Sequence, residues 1–220
     1  MNLKVGKDNV FPVDPEASCQ YSRFDQLNPA WWRNVESLVR KDEGELFPAV
    51  RISDKGVELP WFNRSLRLEP ETLSIRFDNG KGPQPTYQEG LVVLALLNYL
   101  AGSQKMPEIE GLISESHLTG GTTFFQGPHV MASVLIAERF ARDGSQLLAK
   151  GKKWGAQASG FGEFALSFKI FPGLEWTIAL WEEDDEFSAR ALYLFDKNIE
   201  RMFQLDVVWA LGNVVAAKLL

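Results

Sequence analysis

The chain has 220 residues, 45% hydrophobic and 24% charged, with 23 Lys and Arg set against 29 Asp and Glu. So much apolar side chain over this length supports a buried core and excludes disorder across most of the chain. The net charge of −6 excludes a generally basic, phosphate-binding surface, so no nucleic-acid partner is expected.

Residues 1–27 are polar, carry two prolines and read as an extended segment ahead of a single domain at 28–220. Residues 1–14 lack the apolar centre of a signal peptide. Cys19 is the only cysteine, too few for an intrachain disulfide, a zinc ribbon or an iron–sulfur cluster. Together these set the expectation of a cytoplasmic protein. The longest apolar run, 91–97, is far short of the roughly 20 residues of a spanning helix, so no membrane partner is expected.

The first helix is predicted to open at Asn28, whose side chain can cap the free amides, with Pro29 at the first helical position. Trp32, Val35, Leu38 and Val39 follow at helical spacing, and Gly44 ends the run. Trp31 and Trp32 point about 100° apart on such a helix, so one of them falls off the core face. Residues 46–77 read as short strands, with 64–68 and 72–77 alternating as a hairpin. The run 78–83 reads as a loop, with neither P-loop nor dinucleotide-binding spacing.

Thr86 and Glu89 stand three apart before an apolar run, the pattern of a capping box. The helix they open is apolar nearly all round, so it is predicted to be central, ending near Ala101 with Gly102 as its stop. Residues 103–126 read mostly as loop. A further helix is predicted from Gly127-Pro128 to about Arg142, and a shorter one over 145–153. The dense cations Lys150, Lys152 and Lys153 read as its solvated end.

From Phe161 the period becomes two. Phe164, Leu166, Phe168 and Ile170 share one strand face, and Leu174, Trp176, Ile178 and Leu180 share the next. Residues 187–195 supply a third strand, so the three read as an antiparallel meander. Asp196 is placed to cap a helix starting at Lys197, and a last helix is predicted near 206–218, burying Val207, Val208, Leu211 and Val215. Strands and helices come in blocks, which predicts an α+β fold. A predominantly antiparallel sheet, built from the N-terminal hairpin and the C-terminal meander, packs against the buried central helix and the C-terminal helix.

The segment Phe171-Pro172-Gly173-Leu174-Glu175-Trp176, the acidic turn through Asp185-Glu186-Phe187, and the later Leu194-Phe195-Asp196 form a distinctive block. With Leu97-Asn98-Tyr99-Leu100 and the loop around Gly120-Gly121, the block resembles the family catalogued as domain of unknown function 3786. The resemblance covers about 60–210. Some members look as though they carry a cysteine-rich, iron–sulfur-type segment ahead of this domain; this chain has none, so no cluster is carried over. The resemblance implies a domain and no activity.

Two constellations carry chemistry. The polar loop with His117, Thr119, Gly120, Gly121, Thr122 and Phe124 is the better candidate for ligand binding. Aromatics in or beside loops, among them Trp31, Trp32, Trp61, Phe62, Phe124, Phe125, Trp154 and Phe161, can add a binding surface. A serine nucleophile with His117 as base is imaginable in this loop, but no nucleophile-elbow pattern occurs.

The second constellation is the acidic turn 182–186. Asp184, Asp185 and Glu186, with Asp196, offer oxygen ligands to a divalent cation, although the spacing is not an EF-hand. The same pattern suits a solvated turn in which Asp184 or Glu186 binds backbone amides while Asp196 caps the turn beyond. His129, at the start of the predicted helix after Pro128, is expected to be neutral.

These features favour a non-catalytic accessory domain that binds a small molecule or a protein, with no cofactor. The alternative is a metal-assisted hydrolase, and only that alternative calls for a divalent cation. Nothing in the pattern specifies the ligand or the oligomeric state.

Overall fold

A computed structural model describes residues 23–41, 45–77 and 83–220. The expected extended segment up to residue 22, with Cys19, lies outside the described residues, as do Gly44 and the loop at 78–82. Nearer the domain, Phe24–Gln26 form a 3₁₀ turn.

Helix α1 (Pro29–Lys41) starts where the capping signal places it, with the Ala30 amide donating to Asn28 Oδ1 at 2.9 Å. Trp32, Val35 and Leu38 are buried, and Trp31 is only half-buried. Five strands follow: β1 (Glu45–Phe47), β2 (Val50–Ser53), β3 (Gly56–Trp61), β4 (Arg64–Glu69) and β5 (Ser74–Phe77). They form one antiparallel meander in sequence order, of which the predicted hairpin is the last pair. Alternation sorts its faces. Val57, Leu59, Leu66, Leu68, Ile75 and Phe77 are buried on one, while Arg51, Glu58, Arg67 and Arg76 stand in one row across four strands on the other.

Helix α2 (Tyr87–Ser103) opens on the predicted capping box, with both reciprocal bonds present. It runs past Gly102. Gln104, at φ 56°, takes the left-handed position and donates its amide to the Leu100 carbonyl at 2.8 Å. The stretch 103–126 holds more structure than a loop: β6 (Leu112–Ile113), a 3₁₀ turn at Glu115–His117, and α3 (Gly121–Phe124).

The helix predicted from Gly127 is broken. Gly127–His129 is a 3₁₀ turn, and α4 covers only Ser133–Arg139. Val130 is extended between them, and its carbonyl accepts the Trp209 indole N–H at 3.3 Å. A tertiary bond thus holds that carbonyl outside the helical ladder. Helix α5 (Gly144–Lys152) is close to its predicted span. Its end is not wholly solvated: Lys150 is half-buried and its Nζ donates to the Leu220 carbonyl at 2.9 Å.

The second sheet contains β6, β7 (Gln157–Ala158), β8 (Phe164–Phe171), β9 (Leu174–Trp181) and β10 (Arg190–Asp196), in the order β6-β10-β9-β8-β7, all antiparallel. The third meander strand starts at Arg190 rather than Phe187, because Asp184 claims the Glu186 and Phe187 amides for a turn. Helix α6 (Leu205–Ala217) closes the fold and buries Val207, Val208, Leu211 and Val215.

Trp61, Trp176, Tyr193, Phe140, Phe168, Phe171 and Phe195 are the largest fully buried side chains of one continuous core. The β3–β4 turn joins the sheets: the Phe62 amide donates to the Ile170 carbonyl at 2.8 Å and Asn63 Nδ2 to the Lys153 carbonyl at 3.0 Å. Phe62 adopts φ 55°, a costly conformation for a bulky residue. Its ring packs edge-on against Trp61 and Phe168, and these contacts hold it there. No helix among the described residues is long and apolar enough to cross a membrane.

Candidate functional site

The loop between β6 and α4 folds back on itself. Ser114 Oγ lies 3.0 Å from His117 Nδ1, and Ser116 Oγ lies 3.4 Å from the same nitrogen. His117 is exposed. Glu115 points the other way. Its Oε2 is buried without a hydrogen-bond partner, and burial raises its carboxyl above the usual Glu range. The Tyr193 phenol is held well above its own range, first by burial and then by the Glu115 charge. Its hydroxyl donates to the Gly212 carbonyl at 3.1 Å.

Gly121 has a steric reason. A Cβ there would lie 2.0 Å from the Glu115 carbonyl oxygen, so only glycine lets the loop close on the turn. Beyond it, the Thr119 amide donates to Glu200 Oε1 at 2.6 Å, and Gly120 faces the Leu205 side chain. These contacts shape an open groove of about 400 Å³, lined by Thr119, Glu200, Met202, Phe203 and Leu205 among others.

An aromatic stack continues the surface. Phe124 lies face to face with His129, centroids 4.5 Å apart, and edge-on to Phe125 at 5.1 Å. His129 in turn meets Trp209 edge-on at 5.6 Å. Val130, the residue after His129 and the acceptor of the Trp209 indole N–H, is 37% exposed. His129 therefore belongs to a 3₁₀ turn held between two aromatic rings, not to the first turn of a longer helix.

Of the predicted ligand residues, Thr119 lines the groove, Gly120 faces groove-lining Leu205, Gly121 closes the loop against the Glu115 turn, and Phe124 belongs to the stack. Thr122 is exposed, its carbonyl accepting Gln126 Nε2, and His117 is not among the groove-lining residues. Sequence reading missed Glu115, Glu200 and Trp209. A signal existed for Trp209: Leu205 and Trp209 are four apart, a second apolar stripe beside the one that faces the core.

The acidic turn is built differently. Asp184 Oδ1 accepts the Glu186 and Phe187 amides at 2.8 and 2.7 Å. Glu182 Oε1 accepts the Gly144 amide at 2.6 Å, and Glu183 pairs with Arg142. Asp185 and Glu186 are exposed. Asp196 takes three amides: Asn198 on Oδ1 at 2.9 Å, with Glu110 and Gly111 on Oδ2 at 2.7 and 2.8 Å. It caps the turn beyond β10 and also ties down the chain before β6. Among the described residues, no three His, Cys, Asp or Glu side chains gather where they could hold a metal ion.

No curated protein and no solved structure matches the chain. A family model matches residues 48–218, nearly the whole described domain. The protein belongs to the family described as domain of unknown function (DUF3786).

Proposed function

We propose that this protein is a non-catalytic binding domain that recognises an apolar or aromatic ligand group at the surface formed by the 119–130 loop and the start of α6. The observation that carries the reading is the stack of Phe124, His129 and Trp209, set at the surface beside exposed Val130. Apolar surface gathered at one place, next to a groove in the volume range of ligand sites, is the usual mark of recognition. The aromatic faces supply area, and the Glu200 and Thr119 side of the groove supplies polarity for orientation.

The test is protein-observed NMR with a library of small aromatic fragments. Binding is expected to shift the Trp209 indole N–H and the His129 ring resonances together. Val130→Glu, at an exposed position beside the stack, is expected to weaken the hits at least tenfold without lowering the melting temperature. Fragments that bind elsewhere, or that ignore Val130→Glu, refute the reading.

A further inference from the structure

The two sheets differ on the faces they turn away from the core. The first presents Arg51, Glu58, Arg67 and Arg76, as a solvated face does. The outer face of the second follows from its register. Ala165, Ala179 and Leu192 stand in one row, and Ser167, Thr177 and Leu194 in the next. Trp181 pairs with Arg190 at one end, and Leu112 pairs with Asp196 at the other.

None of Leu112, Ala165, Ala179, Trp181, Leu192 and Leu194 belongs to the core cluster of the described residues. The small residues are shielded, with Ala179 at 0% and Ala165 at 3% exposure. Leu192, Leu194 and Trp181 are half-buried, and Leu112 is 43% exposed. An apolar outer face on an antiparallel sheet marks a surface that meets a partner.

The charges at the rim say which partner. On β8, exposed Lys169 stands at one end, with exposed Glu175 of β9 directly across from it, and Glu163, whose Oε2 accepts the Glu182 amide at 2.9 Å, just precedes the other. On β10 the order is reversed, with Asp196 near the Lys169 end and Arg190 at the Glu163 end. The Arg190 guanidinium is stacked on Trp181 at 4.2 Å, which keeps it on this face. A two-fold axis in the interface plane and across the strands lays β8 on β8 and β10 on β10 with ends exchanged. Lys169 then opposes Glu163, and Arg190 opposes the acidic end that carries Glu175 and Asp196. The face is complementary to itself.

We infer that the outer face of the second sheet is the interface of a two-fold dimer of this chain. The sheets pack face to face, about 10 Å apart with strands within about 30°. Five strands about 4.8 Å apart, the longest about 25 Å, give roughly 500 Å² per copy. That is below the roughly 800 Å² per partner of a standard interface, so the dimer is reversible. Its closed symmetry uses one patch on both copies and stops at two.

Sedimentation equilibrium across a concentration series tests this. The weight-average mass of the full chain is expected to climb from the monomer toward twice that value and to level off. Leu192→Lys is expected to raise the dissociation constant at least tenfold. Lys169→Glu, an exposed change that spares folding, is expected to weaken the dimer, and Lys169→Glu with Glu163→Lys is expected to restore it. A chain that stays monomeric throughout, or a dimer indifferent to both Leu192→Lys and Lys169→Glu, overturns the inference.

Discussion

Glu89 and Lys218 stand 129 residues apart in the chain and 2.7 Å apart in space, with Glu89 1% exposed and the Lys218 side chain 11%. Glu89 Oε1 also accepts the Trp61 indole N–H at 3.1 Å, while Oε2 takes the Thr86 amide at 2.9 Å. The Lys218 ammonium lies over the Trp154 ring at 4.6 Å and near Phe62 at 5.5 Å. One carboxylate thus ties the start of α2 to the first sheet and to the end of α6.

Such a pair is costly to break, because its survivor is a buried, uncompensated charge. Glu89→Gln and Lys218→Met are each expected to lower stability by about 3–5 kcal/mol. The double variant is expected to lose much less than the sum, since no lone charge remains. Urea denaturation of the four proteins measures the coupling; strictly additive losses would show that the pair contributes nothing as a pair.

Glu115 makes stability depend on pH. Burial raises its carboxyl, against weaker opposite pulls from its own backbone amide and from His117. The folded state therefore keeps a proton that the unfolded chain has already released. The stabilisation is complete below the unfolded pKa and is lost as pH rises through the folded one. Glu115→Gln is expected to remove that slope, so the variant gains on the parent as pH rises above the ordinary Glu range. Parallel stability curves over that rise in pH would contradict the assignment.

Two glycines provide a matched contrast. A Cβ at Gly121 meets the Glu115 carbonyl oxygen at 2.0 Å, whereas one at Gly102 meets nothing within 4 Å. Gly121→Ala is expected to displace the loop, cost about 1–3 kcal/mol and abolish fragment binding at the aromatic stack. Gly102→Ala is expected to be neutral or to stabilise by up to about 1 kcal/mol, as alanine suits a helix better. Equal melting temperatures for the two variants would refute the steric account.

In the acidic turn, neighbouring carboxylates should behave unlike one another. Asp184→Ala loses two amide bonds and is expected to cost about 1 kcal/mol. Asp185→Ala, at an exposed position, is expected to stay within about 0.5 kcal/mol. Calcium, magnesium, manganese and zinc at millimolar levels are expected to leave the melting temperature unmoved. A rise with any one of them would revive a metal-assisted reading of this turn.

Local chemistry was legible in the residue order wherever the relevant partners are near neighbours in the chain. Asn28 before Pro29, Thr86 three before Glu89, Asp196 ahead of its turn, and the two-residue period of β8 and β9 each act over a few bonds. Nothing in the order of residues could announce that Glu89 would find Lys218, that Trp209 would hold the Val130 carbonyl and break a helix, or that Glu115 would turn inward beside Tyr193. Those pairings join residues 78 to 129 positions apart, and they exist only because the hydrophobic core brings the elements together. The candidate site divides the same way: the loop was visible as a polar, glycine-bearing stretch, but its aromatic wall was assembled by packing with α6.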